Sequence, residues 1–202
     1  ASYSAALDAG GLTLASVQDD APYTYAGANG KAVNNYDKRY RGFTTLREAI
    51  TDSINIVTVK TLAQTGVSLG WQYVQEYGFT TVDSRDMNEA LALGGITQGV
   101  SNLELTAAYA AIANQGTYIK PKFYTKILDH DGNVLIDNTT PESHTVIKDT
   151  TAWLLTSAME DVMTSGTGTS AYFGSSMAQA GKSGTTTSSR DALFAGYTPY
   201  YT

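Results

Sequence analysis

The chain has 202 residues, 42% of them hydrophobic, with a formal net charge of −6 and a mean hydropathy of −0.19. That length supports a sizeable core, and the acidic balance argues against nucleic acid as a partner, which selects for a basic face. The absence of cysteine rules out disulfides, thiolate metal sites and a Cys nucleophile, and two histidines are too few for a His-based metal site or triad.

No apolar run approaches the roughly 18 residues of a membrane span, and no basic segment followed by an apolar stretch opens the chain. A chain that starts at Ala1 instead of Met reads as a processed or excised piece. Residues 1–43 are rich in Gly, Tyr and Asn, without a helical period after Leu7. Asn34-Asn35-Tyr36-Asp37 and Tyr40-Arg41-Gly42 read as an ordered loop held by its aromatics. Thr45-Leu46-Arg47-Glu48 is a capping box that should start a helix with Leu46, Ala49 and Ile50 on its buried face. A second helix is expected over Ile56 to Gln64, ending at Gly66, with Ser53-Ile54-Asn55 at the break between the two.

Leu69 to Tyr77 reads as a helix stopped by Gly78. Ser101-Asn102-Leu103-Glu104 is a second capping box, opening an alanine-rich helix that runs through Ala113 to Asn114-Gln115-Gly116. Tyr124 to Leu128 and Val134 to Ile136 flank an Asp-Gly turn and predict a β-hairpin, with His130 in the turn and His144 in a later polar loop. Asp149 or Thr150 should cap a helix through about Met163, with Ala152, Leu155, Met159 and Val162 on one stripe. A Gly/Thr/Ser loop then leads into two strands, 178–187 and 192–201. Helices precede strands, so the class is α+β: a helical cluster packed on an antiparallel sheet, in one domain over residues 1–202.

Two short strings carry chemistry. Ser53 and Asn55 put a hydroxyl and a carboxamide together at a helix break, where they can pass a proton and bind a peptide amide; the plain alternative is local helix capping. Far downstream, Lys182-Ser183-Gly184-Thr185-Thr186 presents one cation and several hydroxyls on a strand whose glycine lets another backbone lie close. Such a strand suits a carboxylate-terminated peptide. The plain alternative for Lys182 is a solvated lysine guarding a sheet edge.

Taken together, these strings resemble the penicillin-binding proteins, and in particular the transpeptidase domain of the class A members. The likeness runs from about Ala5 to Tyr201. It takes in Thr45 to Asn55, Leu93-Gly94-Gly95 with Gly99-Val100-Ser101 and Ala107 to Gly116, Gly166-Thr167-Gly168-Thr169, and Asp191 to Pro199. Ser183 stands where Thr is more usual, and Leu193 where many members carry Trp. The resemblance implies a penicillin-binding-protein or serine β-lactamase-like fold, truncated at both ends. The function it implies is D,D-transpeptidation of peptidoglycan stem peptides ending in D-Ala-D-Ala, at the extracytoplasmic face of a bacterial membrane, with β-lactams as inhibitors.

The resemblance assigns Ser53 a proton relay, Asn55 the donor's amide, and Lys182 the positive potential. Ser183 and Thr185 would hold the substrate carboxylate beside Gly184 and Thr186, and the Thr185 N–H would form half of an oxyanion hole. No metal or organic cofactor is implied. The family's nucleophile lies in an S-x-x-K string, and no Ser here is followed by Lys three residues later. Thr117 and Thr145 have the spacing, with Lys120 and Lys148, but neither precedes Ser53. The nucleophile is therefore expected upstream of Ala1, where a glycosyltransferase domain and a membrane anchor also belong in relatives. Association through exposed sheet edges is expected where flanking strands are missing. Two rivals remain: a non-catalytic penicillin-recognising sensor or scaffold, and a D,D-carboxypeptidase or β-lactamase-type hydrolase of the same fold.

Overall fold

The computed structural model describes residues 1–26, 30–186 and 189–202. Helix α1 (Ser2–Asp8) leads into two small strand pairs: β1 (Val17–Asp20) with β4 (Gly42–Thr45), and β2 (Tyr23–Thr24) with β3 (Ala32–Val33). Then come α2 (Leu46–Thr51), α3 (Asn55–Thr65), α4 (Val67–Glu76) and α5 (Asn102–Ala113). Strand β5 (Thr117–Ile119) pairs with β8 (Ser143–Thr145), and between them β6 (Lys126–Leu128) and β7 (Val134–Asp137) form the expected hairpin. Helix α6 (Asp149–Thr164) precedes the antiparallel pair β9 (Ala180–Thr185) and β10 (Ala192–Tyr197).

The class is α+β, as expected, but helices do not precede strands: β1 to β4 come before α2, in a stretch whose Gly, Tyr and Asn content shows no strand period, and β5 to β8 lie between α5 and α6. Among the described residues the antiparallel pairing falls into five separate two-stranded pieces. The main core lies where α1, α4, α5 and α6 meet β9. It is built from Ala107, Ala108 and Ala111 of α5, Leu155, Met159 and Val162 of α6, and the rings of Tyr73, Tyr77 and Tyr118. The alanines of α5 leave room for α6 and β10 to pack close. The α6 stripe and the buried Leu46, Ala49 and Ile50 of α2 are the residues that helical periodicity selects.

Both capping boxes form. Thr45 Oγ1 accepts from the Glu48 N–H at 3.2 Å and Glu48 Oε2 accepts from the Thr45 N–H at 2.8 Å; Ser101 and Glu104 repeat the arrangement at 3.2 and 3.1 Å.

Elsewhere the structure corrects the sequence. Helix α6 is capped at Lys148, not Asp149 or Thr150, and no local side chain caps it; Asp8, at the end of α1, accepts from the Lys148 N–H at 2.9 Å instead. His144 lies in β8 and not in a loop, its ring 5.2 Å from that of Tyr118 and its Nε2 2.8 Å from the Glu76 carbonyl oxygen. The loop after Asn34 is ordered by polar bonds and not by aromatics: Tyr36 is 90% exposed, whereas Asn35 is buried. The last two strands are shorter than 178–187 and 192–201, and residue 187 lies outside the described residues. Strand β10 shows solvent much of Leu193 and Phe194, which border a cavity of about 280 Å³ against Asn102, Leu105 and Thr106 of α5.

Candidate active site

The site forms where the α2–α3 break faces β9. Helix α2 ends at Thr51, and Ser53 takes a left-handed backbone conformation (φ 57°) before α3 begins at Asn55. A non-glycine residue in that region costs about 1 kcal/mol and recurs where a side chain must be aimed. Here the kink sends the Ser53 hydroxyl toward β9, where Lys182 Nζ donates to Ser53 Oγ at 2.7 Å and to the Ser183 carbonyl oxygen at 3.0 Å. Ser53 therefore does not cap α3, and Lys182 is not a solvated edge lysine.

Burial pulls the Lys182 ammonium down to a pKa of about 8, because the cleft replaces water that would solvate the charge. Among the described residues no carboxylate pairs with it. At neutral pH it remains mostly protonated, a cation with spare donor capacity and no counter-ion.

Asn55 sits in the first turn of α3. Its Nδ2 donates to the Asn34 carbonyl oxygen at 2.9 Å, and no donor among the described residues meets its Oδ1. Ser183 Oγ donates to Thr167 Oγ1 at 2.9 Å, so the hydroxyl proton free to point outward belongs to Thr167. Thr185 and Thr186 are exposed, and the Thr186 hydroxyl is drawn back to Asp191 Oδ2 at 3.1 Å. A side chain at Gly184 would meet open space.

The structure thus joins Ser53 directly to Lys182 and places Asn55, Ser183, Gly184 and Thr185 on the same two segments. Thr186 is turned toward Asp191.

Sequence reading gave no role to Thr167, Asn34, Asn35 or Asp20. Thr167 lies in the Gly166-Thr167-Gly168-Thr169 string, and its N–H donates to the Thr51 carbonyl oxygen at 3.2 Å, tying that loop to the end of α2. Gly166 permits this approach: a Cβ there would overlap the Thr51 carbonyl oxygen and lie 2.9 Å from Val162 Cα. Among the described residues no group of three or more His, Asp or Glu side chains is placed to hold a metal, and no helix is long and apolar enough to cross a membrane.

The fold that brings this serine–lysine pair together, a helical cluster with antiparallel strand pairs, is that of penicillin-binding-protein transpeptidase domains. Penicillin-Binding Protein 1A from Haemophilus influenzae superposes with a TM-score of 0.85 at 27% identity, over 97% of this chain and 34% of that one. Penicillin-binding protein A from M. tuberculosis, solved as an imipenem acyl-enzyme complex, shares the fold at a TM-score of 0.84 and 19% identity, over 98% of this chain and 49% of that one. The family model described as Penicillin binding protein transpeptidase domain matches residues 1–202, and the chain belongs to that family. Among its relatives, Penicillin-binding protein 1F of Bacillus subtilis (strain 168) is 40% identical over 174 residues, covering 83% of this chain and 24% of the relative. The chain spans about a quarter of the length of the curated relatives it matches.

Proposed function

We propose that these residues form the greater part of a D,D-transpeptidase site that cross-links peptidoglycan stem peptides and is acylated by β-lactams. The nucleophilic serine is supplied from outside the 202 residues. The observation that carries the reading is the 2.7 Å bond between Lys182 and Ser53, two strings far apart in sequence joined in one cleft.

In this mechanism the serine oxygen attacks the carbonyl of the penultimate D-Ala as its proton passes to the lysine of its own S-x-x-K string, likewise outside the 202 residues, and the tetrahedral oxyanion collapses with loss of the terminal D-Ala. Ser53 relays a proton to that leaving amine, drawing on the ammonium of Lys182. Asn55 Oδ1 accepts from the donor peptide's amide. Lys182 attracts the substrate carboxylate electrostatically, since no carboxylate among the described residues pairs with it. Thr185 and the Ser183–Thr167 hydroxyl pair offer hydrogen bonds to the same carboxylate, Gly184 leaves room for the peptide backbone, and the Thr185 N–H faces the developing oxyanion. The amine of a second stem peptide then attacks the acyl-enzyme, forming the cross-link and freeing the serine. Thr186 contributes by closing the strand end on Asp191 rather than by touching substrate. The protein works at the outer face of the membrane, next to its substrate.

Ser53 itself is not the nucleophile. A nucleophilic serine needs a neutral base in hydrogen-bond reach, and Lys182, protonated at neutral pH, donates to Ser53 instead of accepting from it. Incubating the 202-residue chain with a labelled penicillin should give no covalent adduct by intact mass. The full-length protein that carries it should give one, mapping to a serine outside these residues. An adduct on Ser53 would overturn the assignment. Absence of any adduct on the full-length protein would favour the non-catalytic sensor.

A further inference from the structure

Helix α3 begins without local help. Ile54 occupies the cap position and has no side chain that can accept from the first-turn amides, which must otherwise be satisfied elsewhere. The acceptor comes from the loop before β4: Asn35 Oδ1 takes the Ile56 N–H at 3.2 Å. Asn35 is 4% exposed, although the residues on both sides of it are exposed.

Both amide protons of Asn35 are also used. Its Nδ2 donates to Asp20 Oδ1 at 2.8 Å, to Asp20 Oδ2 at 3.0 Å and to the Arg39 carbonyl oxygen at 2.8 Å. Asp20 has no solvent exposure; it also accepts from the Arg41 N–H at 2.9 Å, with the Arg41 guanidinium 3.9 Å away. A buried carboxylate is costly unless its lone pairs are used. A carboxylate can only accept, so it forces the NH₂ of Asn35 toward itself and the Asn35 carbonyl toward Ile56.

The next step reaches the site. With Asn35 locked, the neighbouring carbonyl of Asn34 is fixed, and it accepts from Asn55 Nδ2 at 2.9 Å. A carbonyl also only accepts, so the Asn55 amide has one permitted flip, with Oδ1 turned away from the loop and free to accept. We propose that Asn35, itself fixed by the buried Asp20 carboxylate, is a positioning residue that sets the rotation of the Asn55 amide and the start of α3. This rests on the reading of Asn55 as the acceptor for a substrate amide. Asn35 touches no substrate; it acts through Asn55.

The test uses the full-length protein that carries these residues, with the second-order rate of acylation by a fluorescent penicillin as readout and thermal unfolding as the control for folding. Asn35→Ala and Asn55→Ala should each slow acylation roughly tenfold or more, the scale of a misplaced contact. The double variant should be no slower than Asn55→Ala alone, because the first residue works through the second. A purely structural role would multiply the two losses. Should Asn35→Ala not fold, Asp20→Asn serves: it keeps shape and volume but replaces one of the two acceptor oxygens by a donor NH₂, so the flip of Asn35 is no longer dictated, and it should be slow and likewise non-additive with Asn55→Ala. A normal rate in Asn55→Ala would overturn the reading of Asn55 and the inference with it. A slow Asn55→Ala beside a folded variant of Asn35 or Asp20 with normal rate would overturn the inference alone.

Discussion

The starts of α2 and α5 differ in kind from the starts of α3 and α6. The first two are closed by residues three positions away, Thr45 with Glu48 and Ser101 with Glu104. The other two are closed from a distance: Ile56 by Asn35, and Lys148 by Asp8 at the far end of the chain. A local cap secures a helix wherever it lies. A remote cap also fixes where the helix sits relative to the rest of the fold, which is what a site made of distant strings requires. The two remotely capped helices flank the cleft, α3 beginning beside Ser53 and α6 packing under β9.

The remote tie at the centre of the cleft should show the largest effect. In the full-length protein, Lys182→Ala should slow acylation by about 100-fold or more, in the range of a lost proton-transfer partner. Its titration gives a sharper version. Acylation by an anionic penicillin should decline as pH rises through about 8, where Lys182 loses its charge. Folding should respond with the opposite sign. Between about 8 and the ordinary value of 10.5 the unfolded chain holds a proton that the folded one has lost, so the contribution of Lys182 to stability rises with pH across that window. The buried tyrosines, raised above their ordinary value, pull stability the other way near pH 10, so the test is the difference between parent and Lys182→Ala, in which they cancel. Denaturant midpoints measured from pH 7 to 10.5 should shift in favour of the parent relative to Lys182→Ala as pH rises, and a flat difference would mean Lys182 is as well solvated as a surface lysine.

What was legible in the sequence follows the same division. The capping boxes, the Asp-Gly hairpin and the α6 stripe are patterns within a few residues, and each was readable because local chemistry determines it. The Ser53–Lys182 pairing was reached through a family resemblance, since spacing alone does not bring two distant strings together. The cap of α6 was misplaced because Asp149 is a good local candidate, while the actual acceptor, Asp8, lies 140 positions earlier. The loop after Asn34 was credited to its tyrosines for a related reason: a buried Asn has no sequence signature apart from its partner. Thr167 sits in a string that reads as a Gly/Thr/Ser loop, and the bond of its N–H to the Thr51 carbonyl oxygen, with the close approach of Gly166 to Thr51, shows that it is pinned.

That approach sets the next effect in size. Gly166→Ala would drive a methyl group against the Thr51 carbonyl oxygen and the backbone at Val162, neither of which can rotate away. The cost should be about 2–3 kcal/mol, as for overpacking a closed contact, read from urea unfolding. Because Thr167 must shift with its neighbour, acylation should slow at temperatures where the variant is still folded. A stability loss without any change in rate would show that the Ser183–Thr167 pair is not needed at the site.

The smallest effect should come from a local cap, the one that opens α5. Ser101→Ala removes the hydroxyl that accepts from the Glu104 N–H and should cost about 1 kcal/mol. Glu104 is also held by Thr80, whose hydroxyl and N–H donate to Oε1 at 2.6 and 3.0 Å. These bonds, the Thr80 hydroxyl first, bring its carboxyl down from 4.5 to about 2. A depressed carboxylate stabilises fully above its unfolded value and fades as pH falls toward the folded one, so the parent should lose this contribution between about 4.5 and 2. The Ser101→Ala difference should shrink over the same interval, because protonation weakens the box in the parent too. Thermal unfolding at pH 7 and pH 3 measures both, and acylation at pH 7 should match the parent at any temperature where both are folded. A slowed rate in Ser101→Ala would break the distinction, since a cap that serves only its own helix would then be steering the site.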